Sequence, residues 1–339
     1  MRQWPSAQST RSAISLVSAA HGPLCRNSTG RPIRWLHFPK AGTSFVTTIY
    51  HFACPCVPAE EIYIPSEAVC RQQIANAKRK KSPSAKNTNA SYNYGCKPRA
   101  YTLEHRLFEL YPPSQWCPLL QTPFAGHVPV NPSLGQSLRL VAMFRHPATR
   151  LRSLFTFVKT VNWGLLRSHG APPSQCPPSG ANVSSLQEFM ALGNWTGGCQ
   201  VKMLLGHYCF SNVSLHEPEL RLALSMVSLG SKSNAFEFVG LTDHWEVSVR
   251  LFHCKLGSGA VLPAELVNSR PGPRWMNNDM RLADGASLDF EDAKLLDAVS
   301  QRFTRELTDC GIAHPSGSVM HSRAGVGGVS LASRDGFVE

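Results

Sequence analysis

Residues 138–155 read LRLVAMFRHPATRLRSLF. Apart from Arg139, positions 138–144 are apolar, as in a strand buried on both faces of a parallel sheet. Pro147 stands where proline favours the first position of a helix, and Leu151, Leu154, Phe155 and Val158 recur on one face at three- and four-residue spacing. The segment is a strand, a turn and a helix. Residues 33–53 repeat that order: a strand over Ile33 to Phe38, a turn at Pro39–Gly42, and a helix from about Thr43 to Ala53, capped by Thr43 or Ser44 and ended by Pro55 and Pro58.

Further patterns predict a short strand over Thr122 to Val130, limited by Pro129 and Pro132, and a buried strand over Phe236 to Leu241. Helices are expected at 185–192, 199–207, 217–229, about 243–255, and Phe290 to Cys310. Alternating strands and helices imply an α/β fold with a mainly parallel sheet. Residues 1–31 read as a disordered leader, 78–99 as an exposed basic insertion loop, 171–184 as a Pro- and Ser-rich connector, and 314–339 as a disordered tail around one domain spanning 32–313.

The chain has 339 residues, 42% of them hydrophobic, enough for a substantial core. Its net charge of +12 favours anionic partners without choosing among a nucleotide, an acidic glycan, a nucleic acid or a membrane surface. Eleven cysteines without paired CxxC spacing argue for disulfides rather than a zinc ribbon, and Cys176, Cys199 and Cys209 are candidates for local bridges. Five N-x-S/T sequons, at Asn27, Asn89, Asn182, Asn194 and Asn212, also point to the secretory pathway. No stretch reaches the ~18–20 apolar residues of a membrane span, so an anchor or signal is weak in these residues or missing from them.

In a parallel sheet the turn after a strand lies where ligands bind. The N–H groups of Ala41, Gly42, Thr43 and Ser44 at a helix start can face an anion, with Lys40 as a mobile charge and two hydroxyls as donors. The order K-x-G-T-S is not the GxxxxGK[ST] of nucleotide triphosphatases. Arg145, at the carboxyl end of its strand, projects toward the same crevice, and Ser153 lies two turns into the next helix, so the two can hold a second phosphate. Arg150 braces the loop, Arg152 lies on a solvated helix face, His37 is a core or supporting residue, and Gln200 is placed to reach a ligand. No H-x-x-x-H or HExxH spacing supports a metal, and none is expected.

PKAGTS (39–44) resembles the 5′-phosphosulfate loop of sulfotransferases that use 3′-phosphoadenosine 5′-phosphosulfate, P-K-x-G-T-[ST]. RHPATRLRS (145–153), about a hundred residues on, resembles their 3′-phosphate motif, R-x-P-x-x-R-x-x-S. AGHVPV (125–130) and FVGLTDHWEVSVRLF (238–252) are similar to segments of the Golgi membrane-bound, carbohydrate-acting branch (heparan- and chondroitin-type), with Asp243 where glutamate is usual. The resemblance covers about residues 33–312 and implies a P-loop-like three-layer fold with a central sheet flanked by helices. It implies that Lys40 binds the 5′-phosphate and the bridging oxygen, that Ala41, Gly42, Thr43 and Ser44 cradle that phosphate, that Arg145 and Ser153 bind the 3′-phosphate, and that His127 takes the proton of the acceptor. An imidazole titrating near ~6.5 suits that task. The expectation is an enzyme of the Golgi lumen or membrane acting on a hydroxyl of an acidic glycan, with no nucleic-acid partner and no metal. A P-loop kinase or hydrolase, or a glycan-binding module without catalysis, are the alternatives.

Overall fold

Three parallel strands, β1 (Ile33–Trp35), β2 (Arg139–Phe144) and β3 (Phe236–Leu241), form a sheet in the order β1-β2-β3. The computed structural model describes residues 32–54, 117, 119–120, 127–130, 139–161, 184–231, 234–257, 259–266 and 289–313. Trp35 pairs with Val141 and Phe144 with Leu241, and an isolated parallel bridge joins Ile33 to Leu120. The helices are α1 (Val46–Ala53), α2 (Pro147–Val161), α3 (Leu186–Met190), α4 (Cys199–Leu204), α5 (Glu217–Val227), α6 (Trp245–Leu256) and α7 (Phe290–Asp309). The fold is mixed α/β. The leader 1–31, the basic loop 78–99, residues 171–183 of the connector and the tail 314–339 lie outside the described residues.

β3 spans the residues that its apolar run predicts, whereas β1 is three residues shorter than expected. The Leu36 N–H makes one more bond to the Val141 carbonyl (2.9 Å), and the chain then leaves the sheet for a tight turn in which the Ala41 N–H donates to Phe38 (3.1 Å). Neither Thr43 nor Ser44 caps α1: both lie in a 3-10 turn, Thr43–Phe45, that precedes it. Of the strand expected over Thr122 to Val130, residues 127–130 belong to no strand, and 122–126 lie outside the described residues.

Aromatic side chains anchor both ends of the first turn in the core. Phe38 lies 5.0 Å from Phe144 of β2, and Phe45 stacks at 5.6 Å on Phe238 of β3 while meeting Phe252 of α6 edge-on at 5.3 Å. Met143 of β2 packs against both Gly42 and Gly240. A Cβ on Gly240 would come within 2.5 Å of the Met143 sulfur, so the glycine of the VGL segment makes room for that side chain.

Disulfides join Cys54 to Cys117, Cys199 to Cys209, and Cys254 to Cys310. The second is one of the expected local pairs; Cys176 lies outside the described residues. Such bridges persist in oxidising compartments. No helix among the described residues is long and apolar enough to cross a membrane.

The helices around β2 are tied together by buried charge. The Arg150 guanidinium of α2 is fully buried and donates to Asp289 at 2.9 Å and to the Thr196 carbonyl at 3.0 Å, with Asp292 at 3.4 Å. Asp289 accepts the Gly198 N–H, and Asp292 accepts those of Gln200 and Val201, so α7 supplies the anions that satisfy the start of α4. Burial raises the pKa of Asp292, Asp289 adds to the rise, and Arg150 with the α4 N–H groups opposes it. Arg302 of α7 reaches the Val227, Asn234 and Phe236 oxygens, clamping α5 and the start of β3.

Removing one partner from a buried pair strands the other charges, at a cost of ~3–5 kcal/mol, whereas an exposed i,i+4 pair contributes about 0.3–0.5 kcal/mol. Arg150→Ala should therefore lower urea-unfolding stability by ~3–5 kcal/mol. Arg250→Ala, which breaks the exposed pair with Glu246, should change it by less than about 0.5 kcal/mol. Similar values for the two variants would contradict this account of the core.

Candidate active site

The carboxyl ends of all three strands converge on one place. The turn after β1 holds Lys40, Ala41 and Gly42; Arg145 follows β2; and the 3-10 turn Thr242–His244 follows β3. Gly42 has φ of 75°, and a Cβ there would stand 3.0 Å from the Met143 Cβ and 3.5 Å from the Thr242 methyl. Only glycine lets this turn lie so close to β2 and β3.

Lys40 has φ of 64° and is the one non-glycine residue with positive φ among the described residues. A left-handed conformation at an ordinary residue costs roughly 1–2 kcal/mol and concentrates at ligand clamps. The Lys40 carbonyl accepts a hydrogen bond from Arg145 Nη1 at 2.9 Å, across 105 residues of sequence. The lysine turn and the arginine of the second motif are thus one bonded unit.

Of the four N–H groups expected to face an anion, that of Ala41 is taken up by the Phe38 carbonyl, and the Ala41 side chain is buried. Of the expected nest, Gly42, Thr43 and Ser44 stay at the opening of the helical run, in and just before the 3-10 turn. Ser44 is itself buried.

Arg145 is half-buried, and its Nε donates to Thr149 Oγ1 at 3.2 Å. Burial lowers its pKa from the ordinary arginine value; Asp243 works against that shift and Arg150 adds to it. Thr149 and the half-buried Ser153 are one turn apart on one face of α2, and Arg145, just before the helix, joins that face through its bond to Thr149. Two of the five guanidinium donors are used here, to Lys40 and Thr149, which leaves a planar fork at that face for an anion.

Gln200 holds Arg145 from below rather than reaching a ligand. Its amide oxygen accepts the Arg145 N–H at 3.1 Å and its amide nitrogen donates to the Arg145 carbonyl at 3.1 Å. Neighbouring Lys202 is buried, donates from Nζ to the Ser211 carbonyl at 3.0 Å, and is drawn down to about 8 by burial against the pull of Asp292 and Asp289. Arg150, expected to brace its own loop, instead ties α2 to the Thr196 carbonyl and Asp289, and Arg152, expected on a solvated helix face, is half-buried with its Nε shielded from solvent.

His127 is fixed by the same turn. Its Nδ1 lies 2.8 Å from the His37 carbonyl, which can only accept, so Nδ1 carries the proton and the neutral ring has its lone pair on Nε2. The His127 ring tilts against His37 at 4.4 Å, and His37 stacks on Trp35 at 4.3 Å. Buried Arg34 of β1 donates to the Pro129 carbonyl at 3.0 Å, and the Val130 N–H bonds Met203 of α4 at 2.9 Å. The segment carrying His127 is pinned from two elements.

The sequence reading did not assign Thr149 or Asp292, although the i,i+4 spacing of Arg145 and Thr149 was available as a signal. A separate cluster lies at the far end of α1, where Glu265 is bonded by His51 and His253. Burial pushes the Glu265 carboxyl up, but bonds from His253, His51 and the Leu262 N–H outweigh it and hold the pKa to about 2. Among the sequons, Asn212 is exposed; the side chain of Asn194 and the other three asparagines lie outside the description.

No protein-family model matches the chain, and no curated protein matches its sequence.

Strain at Lys40 gives a stability test independent of any ligand. Lys40→Gly should stabilise the fold by roughly 1 kcal/mol, raising Tm by about 2–4 °C, while Lys40→Ala should leave it near the wild-type value. A lower Tm for Lys40→Gly than for Lys40→Ala would show that the turn is relaxed.

Proposed function

We propose that this chain is a sulfotransferase that moves a sulfuryl group from 3′-phosphoadenosine 5′-phosphosulfate to a hydroxyl of a carbohydrate acceptor, on a P-loop-like three-layer fold. The observation that carries the reading is the bond from Arg145 to the carbonyl of strained Lys40. It joins the PKAGTS turn to the RHPATRLRS segment, which supports reading them as two ends of one site for a donor with a 5′-phosphosulfate and a 3′-phosphate.

In this reading Gly42, Thr43 and Ser44 cradle the 5′-phosphate, with Ala41 setting the turn, and Arg145 with Ser153 holds the 3′-phosphate. The acceptor oxygen forms a bond to sulfur as the bond from sulfur to the 5′-phosphate oxygen breaks. The acceptor proton passes to His127 Nε2, the electron pair leaves with the 3′,5′-bisphosphate, and Lys40 stabilises the charge that grows there. No covalent intermediate is needed, because positioning and charge stabilisation supply the rate. The disulfides suit a lumenal or secreted protein, and we place it in the Golgi, with an acidic glycan as acceptor.

Binding and transfer separate the roles. Each charge-assisted hydrogen bond contributes ~1.5–3 kcal/mol, so Lys40→Ala and Arg145→Ala should each weaken 3′,5′-bisphosphate binding by about 10- to 100-fold or more in calorimetry. Arg145→Ala should also erase the preference for the bisphosphate over the 5′-monophosphate. His127→Ala should keep that binding and lower kcat by ~10²–10⁴-fold with radiolabelled donor and a panel of desulfated glycosaminoglycans. Tighter binding of magnesium ATP than of the bisphosphate would favour a kinase or hydrolase. Glycan binding with no transfer in the wild type would leave only a binding module.

A further inference from the structure

At the far end of α1 from the lysine turn, three potential ligands converge from separate parts of the chain. His51 of α1 points Nδ1 at Glu265 Oε2 at 3.0 Å, and His253 of α6 points Nε2 at Glu265 Oε1 at 2.9 Å. All three ligand atoms lie within 4.8 Å of one another. The His253 and Glu265 side chains are buried, and that of His51 is 26% exposed. Glu265 stands 214 residues from His51 and 12 from His253, so no sequence spacing could announce the group.

Donor accounting makes the cluster unusual. His253 Nδ1 faces the Gly259 carbonyl at 3.0 Å and its Nε2 faces a carboxylate, so both ring nitrogens meet acceptors. A neutral ring has one proton to give. The second position is filled either by another proton or by a cation that takes the Nε2 lone pair and the carboxylate together. The two side chains are also oriented from outside, as metal ligands commonly are: the Gly259 carbonyl fixes the His253 ring, and the Leu262 N–H holds Glu265 Oε2 at 2.7 Å, so that one carboxylate oxygen faces each histidine. A tetrahedral zinc ion with bonds of about 2.0–2.1 Å spaces its ligands roughly 3.3 Å apart, so ligand atoms already within 4.8 Å of one another need only small side-chain adjustments to close on an ion, with Glu265 offering either oxygen.

We propose that His51 Nδ1, His253 Nε2 and Glu265 bind a divalent transition-metal ion of the zinc type, with water completing the coordination on the exposed side of His51. The ion clamps α1, which follows the lysine turn, to α6 and the segment 259–266. It has no part in the proposed transfer chemistry and does not depend on that reading.

The test uses the full chain stripped of metal by chelator dialysis and titrated with zinc chloride, with cobalt(II) as a spectroscopic probe. One equivalent should bind, cobalt should give the visible absorption of a tetrahedral nitrogen and oxygen site, and zinc should raise Tm relative to chelator. His51→Gln, at the partly exposed ligand, should keep the apo Tm and circular dichroism while losing about 100-fold or more in zinc affinity, since even outer-sphere partners contribute ~10–100-fold. Glu265→Gln should lose the cobalt signal. A wild type with equal Tm in zinc and chelator and no saturable binding overturns the proposal, leaving a cluster bridged by protons. Unchanged affinity in His51→Gln also overturns it, by placing the ion on other ligands.

Discussion

The buried contact of Arg150 with Asp289 and Asp292 is the constraint on which the site depends. Burying three charges is expensive, and well-packed apolar side chains of similar volume would often give equal or better stability. What apolar packing cannot do is orient peptides. Asp292 takes the first N–H groups of α4, which fixes where Gln200 stands, and the Gln200 amide then grips both the N–H and the carbonyl of Arg145. Arg145 in turn holds Lys40. Three links carry order from α7 to the turn after β1, each a directional bond that leaves little freedom to the next.

Strain at that turn is supported from both sides. Phe38 and Phe45 are set into the core on β2 and β3, so the six residues between them must close a short span. Gly42 lies against Met143 and Gly240 yields space to the same side chain, which brings the turn onto the strand ends. Lys40 then takes the left-handed conformation that glycine would hold more cheaply. A lysine kept there is consistent with a side chain wanted for its charge, and the aromatic packing offsets the cost.

Strand and helix positions were legible where one periodicity dominates. β3 and α2 begin where their apolar pattern and Pro147 place them, and the alternation of strand and helix gives the parallel sheet. Legibility failed where tertiary contacts override local preference. The apolar run to Phe38 continues past β1 because the turn, rather than the pattern, decides where pairing stops. Ser44 is a good cap by type, yet it lies inside a 3-10 turn. Lys40 and Arg145 could be named because their motifs are short and local. Gln200, Asp292 and the group around Glu265 could not be assigned their partners, since those contacts join positions that no period relates.

His127 shows how much of a proposed base can be set by backbone. The His37 carbonyl fixes which nitrogen holds the proton, and the His37 ring, stacked on Trp35, limits how the imidazole can tilt. Arg34 and Met203 hold the segment from either side. His37 and Lys40 are three residues apart on one segment, so the proposed base and the proposed anion clamp are attached to the same short piece of chain. A shift of that piece carries both groups together. In the proposed reaction the proton acceptor and the charge that meets the leaving group would thus keep their separation when that piece moves, and a transfer that relies on positioning would be sensitive to that separation.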